Sequence, residues 1–108
     1  MKKRYAAGER DFRGIYFDDA DLFQINLSGA NLTESRMDEI YLESANLMLG
    51  ILVNANLSGA NLRGANFTGT DLRNANLSNC NLTDVNFEGA AMEGANLDDA
   101  VFGKTTNA

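Results

Sequence analysis

A repeat of five residues runs through this chain, and it leaves few folds open. Residues 55–82 read ANLSG ANLRG ANFTG TDLRN ANLSN CNL: a small residue, then Asn or Asp, then Leu or Phe, then two polar or turn residues. Every fifth residue from Phe12 to Phe102 is large and apolar, 19 positions without a slip. A fixed internal period decides the architecture before any local propensity does.

Two residues before each apolar centre lies a second register, with Ala in 10 of the 19 blocks and Ile15, Ile25, Ile40, Cys80 and Val85 among its departures. Residues two apart on an extended segment point the same way, so both registers can face one interior. The remaining three residues of each block must bend the chain. Two residues after the centre stands Gly at 14, 29, 59, 64, 69, 89 and 94, which permits the positive φ of a type II turn. Asn, Asp or Ser at the other corners suits a type I turn or a left-handed residue. Four bends in one sense close a square coil of 20 residues, so the 19 blocks make about 4.75 coils with strands about 4.8 Å apart. Stacking by 20 places Phe67 above Leu47 and below Phe87, and it requires the Ala column to stay small.

The blocks ANLSG, ANLRG, ANLSN and ANLDD, with TDLRN carrying Thr for Ala, match an A(D/N)LXX motif. On these residues the chain resembles the pentapeptide repeat family, and its opening YAAGERDF resembles small cyanobacterial members. The resemblance implies an all-β fold, a right-handed quadrilateral parallel β-helix, the hand coming from the family and not from the spacing. The expected organisation is an N-terminal cap or tail over residues 1–9, the β-helix over 10–104 and a C-terminal tail over 105–108. Tyr5, Ala6 and Ala7 before Gly8 can form one or two helical turns that end at the glycine and cover the open end of the stack.

With 15 acidic against 9 basic residues the net charge is −6, which disfavours direct binding of nucleic acid or an anionic membrane. No apolar run approaches the 18 residues of a membrane span, and no secretory segment is read at MKKRYAAGE, so a cytoplasmic location is expected. The single cysteine, Cys80, fits a reducing compartment and falls in the small interior register, where a thiol is inert. There is no histidine, and no Ser, Lys and acid constellation or phosphate loop stands out from the repeat, so no catalysis, cofactor or metal site is expected. Asn or Asp precedes the centre in 13 of the 19 blocks, a pattern expected to bond turn backbone or neighbouring amides rather than a ligand.

Two departures from the repeat carry the functional expectation. In LMLGILV the outward positions Met48, Leu49, Ile51 and Val53 are apolar where other blocks are polar or Gly, and they meet across one corner. Such a patch in a polar field marks a protein partner's surface. Phe23 and Tyr41 add exposed rings on another face. The second departure is a face that collects Asp18, Asp19, Asp38, Glu39, Asp98 and Asp99 against Arg36 alone, with no spacing known to bind calcium. The favoured function is a noncatalytic scaffold or interaction module with a protein partner; the runner-up is an acidic DNA mimic that binds a type II topoisomerase. The uncovered C-terminal coil can support end-to-end self-association, or the tail can close over it.

Overall fold

The computed structural model describes residues 2–17 and 22–103. Helix α1 (Lys2–Ala6) is followed by parallel coils in which residues twenty apart form bridges, as in Asp11 with Asn31, Asn31 with Ile51, Ile51 with Asp71 and Asp71 with Ala91. The other three sides repeat the offset: Arg36 pairs with Asn56, Tyr41 with Asn61, and Asn46 with Asn66. Each side is so short between corners that one bridge residue per block, the one before the centre, carries the pairing.

The hydrogen bonds follow one rule per block. Leu32 donates to the Ile51 carbonyl at 2.7 Å and Glu34 to Val53 at 2.9 Å, both toward the following coil, while Asn31 donates back to Arg10 at 2.7 Å. At each corner a bond closes the turn, as from Ala30 to the Leu27 carbonyl at 3.0 Å. The residue two after the centre has positive φ whether or not it is glycine: Gly29 +72°, Leu49 +60°, Glu34 +60° and Asn74 +61°. Of the two readings open at the non-glycine corners, a type I turn or a left-handed residue, the backbone takes the second. One left-handed residue per corner is what lets every corner turn in the same sense.

The centres from Phe12 to Leu82 fill the interior, each of them no more than 8% exposed. Burial of a Leu or Phe side chain contributes about 1.5–3 kcal/mol, so this column is the main source of stability. Phe67 and Phe87 stack with ring centroids 5.6 Å apart and planes 9° from parallel. The neighbouring small column holds Ala30, Ala45, Ala60 and Ala65, all buried, and accommodates Ile25 and Ile40. Two of its polar members bond back to the coil below: Thr70 Oγ1 donates to the Leu47 carbonyl at 2.7 Å and Cys80 Sγ to Leu57 at 2.9 Å. Ser35 Oγ, also buried, has no partner.

All ten asparagines before a centre use Oδ1 to accept the backbone N–H two residues on, from Asn26 with Ser28 at 3.1 Å to Asn96 with Asp98 at 2.9 Å. They hold the turns locally. Asn61 also donates from Nδ2 to Glu43 Oε2 at 3.1 Å, an amide contact to the coil below.

At the N-terminal end α1 lies over the first coil. Tyr5 OH donates to the Ser28 carbonyl at 2.7 Å, Arg4 sits 4.8 Å over the Phe12 ring, and Arg10 sits 3.6 Å over the Tyr5 ring. Gly8, at φ +98°, ends the helical segment. Toward the other end burial declines, and Leu97, Val101 and Phe102 are exposed. No helix among the described residues is long and apolar enough to cross a membrane.

Candidate functional site

The corner at residues 48–53 forms because three local requirements coincide. Gly50 occupies an interior small position, where a Cβ would stand 3.0 Å from the Leu47 carbonyl and 3.3 Å from the Ala30 carbonyl, so the backbone approaches too closely for a side chain. Leu49 takes the left-handed corner and donates to the Thr68 carbonyl at 2.9 Å. Its side chain is thereby directed outward, 66% exposed, in a column otherwise held by Gly29, Gly69 and Gly89. Ile51 stands where most blocks carry Asn, bridged to Asn31 on one side and Asp71 on the other. Its side chain offers Val53 no acceptor, whereas Asn31 serves Thr33 in the coil below.

The four expected patch residues are brought together across this corner but are not equally open. Leu49 and Ile51 carry the exposed area, while Met48 and Val53 are half-buried. The rim is polar, with Thr33 beside the patch and the Asp71–Arg73 pair, bonded at 2.7 and 2.8 Å, in the coil above. The Arg73 guanidinium holds the Asp71 carboxyl below its ordinary range, so this edge of the rim stays an ion pair at neutral pH. Phe23 and Tyr41 are both more than half exposed, on a different face from the patch.

The acidic face is only partly within view, because Asp18 and Asp19 lie outside the described residues. Asp38 meets Arg36 at 3.5 Å, and Glu39 lies along Gly59 with Cγ 3.1 Å from where a Cβ would stand. Asp98 and Asp99 are three coils further on, roughly 14 Å at the usual strand spacing. That exceeds the ~8 Å Debye length at physiological salt, so the two acidic pairs act as separate charges and not as one field. No group of three or more metal-ligating side chains is found among the described residues.

Cys80 is fully buried, and burial pushes its thiol up to about 11, away from any nucleophilic role at neutral pH. Two features were not expected from the repeat. A cleft of about 270 Å³ lies between α1 and the first coil, lined by Lys2, Tyr5, Phe23, Ile25 and Leu27. Tyr16, 60% exposed, carries Arg36 at 5.1 Å from its ring centroid. Each joins residues whose proximity depends on α1 or on one substituted block, which the period does not encode.

The family described as Pentapeptide repeats matches the chain in eight copies over residues 11–48, 50–79 and 80–105. Among solved structures the chain is similar to HetL, a pentapeptide repeat protein involved in heterocyst differentiation regulation from the cyanobacterium Nostoc sp. strain PCC 7120, with 31% identity and a TM-score of 0.80 over 84% of this chain and 44% of that one. It is also similar to a pentapeptide repeat protein of the Arabidopsis thaliana thylakoid lumen, with 34% identity and a TM-score of 0.74 over 76% of this chain and 57% of that one. The chain thus spans about half the length of these two relatives. No curated protein matches it.

Proposed function

The chain belongs to the pentapeptide repeat family, a right-handed β-helix, and on that premise we propose that it is a noncatalytic interaction module, a rod of about 4.75 coils that presents one apolar corner to a protein partner in the cytoplasm. The observation that carries this reading is Leu49. A leucine in the left-handed region is disfavoured by roughly 1–2 kcal/mol, and here it places an apolar side chain in solvent where the same column elsewhere has glycine. A position that is costly both in backbone and in hydration is one that a partner's contact would offset. Ile51 adjoins it, and half-buried Met48 and Val53 complete a patch of the kind that anchors an interface. Phe23 and Tyr41 would serve a second contact on their own face. HetL's involvement in heterocyst differentiation regulation is compatible with an interaction protein and goes no further for this chain.

The test is to replace Ile51 and Val53 by Asn and compare capture of partners from the native host with wild type. Asn is already borne at ten positions equivalent to Ile51, and most positions equivalent to Val53 are polar, so the variant should keep the fold. Loss of one specific partner supports the reading; unchanged capture and unchanged oligomeric state refute it. The alternative, an acidic mimic of DNA acting on gyrase, has the net charge of −6 in its favour and the separation of Asp38 and Glu39 from Asp98 and Asp99 against it. A duplex carries charge at every step, whereas here Ser58, Gly59, Ser78 and Asn79 intervene. Inhibition of gyrase supercoiling at low protein concentration would favour the mimic.

A further inference from the structure

The side of the rod that carries Ile51 is a stack of rungs. The residue before each centre and the residue after it are two apart and point out of the same side. Bridges align Asp11, Asn31, Ile51, Asp71 and Ala91 in a first column. A second column runs Arg13, Thr33, Val53, Arg73 and Glu93 at the same offset of 20. Two rungs are bidentate ion pairs, each with its acid in the first column and its base in the second: Arg13 donates to Asp11 at 2.8 and 2.8 Å, and Arg73 to Asp71 at 2.8 and 2.7 Å. Between them lie the apolar rung Ile51–Val53 and the polar rung Asn31–Thr33. In the latter the Thr33 hydroxyl donates to Asn31 Oδ1 at 2.6 Å, and Asn31 Nδ2 has no partner among the described residues.

We propose that a second copy of this chain docks on this side, parallel to the first, about a two-fold axis that runs along the rods. The proposal rests on the reading of this corner as an interaction surface and names its occupant. Such an axis exchanges the two columns, so every rung meets the same rung of the other copy with its ends reversed. Asp11 then faces Arg13 of the second copy and Asp71 faces Arg73, each in both directions. Ile51 faces Val53, and Leu49, beside Ile51 across the corner, lies at the margin next to that Val53. The free Asn31 Nδ2 faces a Thr33 hydroxyl oxygen that can still accept. Glu93 faces the small Ala91 and not another carboxylate. An antiparallel copy with Ile51 on Ile51 would set Asp71 and Arg73 against Asn31 and Thr33, and would keep Arg13 against Glu93 as its one kind of opposite-sign contact. Exposed ion pairs add little affinity, so the charged rungs fix orientation while the apolar rung supplies the attraction. The side itself carries three acids, Asp11, Asp71 and Glu93, against two bases, Arg13 and Arg73, or −1, so most of the net −6 lies elsewhere. Coils ~4.8 Å apart make a side about 24 Å tall on a rod 25 Å across, on the order of 600 Å² for each copy, at the small end of specific interfaces. A contact of this symmetry closes at two copies.

Sedimentation velocity of the 108-residue chain from about 10 μM to about 2 mM tests this, bracketing a dissociation constant on the order of 100 μM for so small an interface. Wild type should pass from monomer to dimer and stop there. Ile51→Asn with Val53→Asn should weaken the dimer roughly tenfold. Asp11→Lys with Asp71→Lys makes both columns basic at the charged rungs, and Arg13→Glu with Arg73→Glu makes both acidic. Each variant alone should dimerise roughly tenfold more weakly, and an equimolar mixture should recover the wild-type value. The first column already holds Ile51 and Ala91, so the coil tolerates loss of the acid there, and circular dichroism checks the fold. Arg13, Arg73 and Glu93 are exposed, so their variants decide the matter even where the lysine pair fails to fold. Glu93→Lys should leave the parallel dimer unchanged, whereas an antiparallel one would lose its Arg13 contact. A wild type monomeric to the highest concentration, mass beyond the dimer, a dimer indifferent to the column changes or to Ile51→Asn with Val53→Asn, weakening by Glu93→Lys, or no recovery on mixing would overturn the proposal. A monomeric wild type whose Ile51→Asn, Val53→Asn variant loses a partner from the native host would overturn the dimer alone and leave the interaction module standing.

Discussion

The Leu49 side chain lies over Gly69, one coil above it, so that a Cβ built at Gly69 would stand 2.8 Å from Leu49 Cδ2. The apolar corner is thus supported by the absence of a side chain in the next coil. Gly89, in the same column, has φ +72°, and a Cβ built there would stand no closer than 3.7 Å to its nearest neighbour, the Gly69 nitrogen.

Gly69→Ala and Gly89→Ala should therefore differ. Both place a Cβ on a left-handed residue, at a cost of about 1–2 kcal/mol each. Gly69→Ala additionally collides with Leu49, and Leu49→Ala in that background should recover the excess. Thermal or urea unfolding of wild type, Gly69→Ala, Leu49→Ala and the double variant, read as a double-mutant cycle with Gly89→Ala measured beside it, checks this. Equal losses for the two glycine changes would mean that Leu49 moves aside freely, and the corner would not be held by Gly69.

Ser35 offers a second measurement. Its hydroxyl is buried and unpartnered in a column that continues with Ala55 and Ala75, whereas Thr70 and Cys80 in equivalent positions bond to the coil below. Ser35→Ala removes a desolvated hydroxyl without opening a large cavity, and should raise stability by about 1 kcal/mol. Thr70→Ala should instead lower it, since a made hydrogen bond and a methyl group are lost. A destabilised Ser35→Ala would show that the hydroxyl finds a partner in solution.

The interior was legible from the repeat because burial depends on period alone. Phe67 under Phe87 follows from counting by 20, and the rings do stack. The corners were less legible: Glu34, Glu39 and Leu49 adopt positive φ that their own preferences oppose, because coil closure overrides local propensity. The asparagines had two outcomes open, turn backbone or neighbouring amides, and geometry within each block selected the first. The patch at residues 48–53 was visible as a break in pattern, but the support from Gly69, the burial of Gly50 and the half-burial of Met48 and Val53 needed three dimensions. Least legible were the ends, where Tyr5, Phe23, Leu97 and Phe102 have surroundings that no repeat unit shares.

Cys80 links burial to pH. Its thiol, raised from 9.0 to about 11 by desolvation, is neutral through the physiological range in the folded chain. A folded-state pKa above the unfolded one contributes stability that is fully present below pH 9.0 and is lost as pH rises toward about 11. Wild type should thus lose stability relative to Cys80→Ala across that window, and the native thiol should resist thiol reagents at pH 8 until the chain unfolds. Rapid labelling of native protein would place Cys80 outside the interior.

The asparagine columns distinguish a local from a ladder role, and Asn66 is the clearest case, stacked between Asn46 and Asn86. Its Oδ1 accepts the Thr68 N–H at 2.9 Å within its own block. If this bond is the residue's contribution, Asn66→Asp keeps an acceptor in place and should cost less than Asn66→Ala, which strands the Thr68 N–H and should lose about 1 kcal/mol. If amides bonded to one another up the column, the donor Nδ2 would matter as much, and Asp, which lacks it and introduces charge between two amides, would be as harmful as Ala. Urea unfolding of both variants at pH 7 separates the cases. The structure favours the milder Asp: the shared feature of all ten positions is acceptance by Oδ1, while the cross-coil amide contact is made by Asn61 with Glu43 and not with another asparagine. Each block then fixes its own corner, which explains how single blocks such as the one at Ile51 can depart from the pattern without the coils on either side losing register.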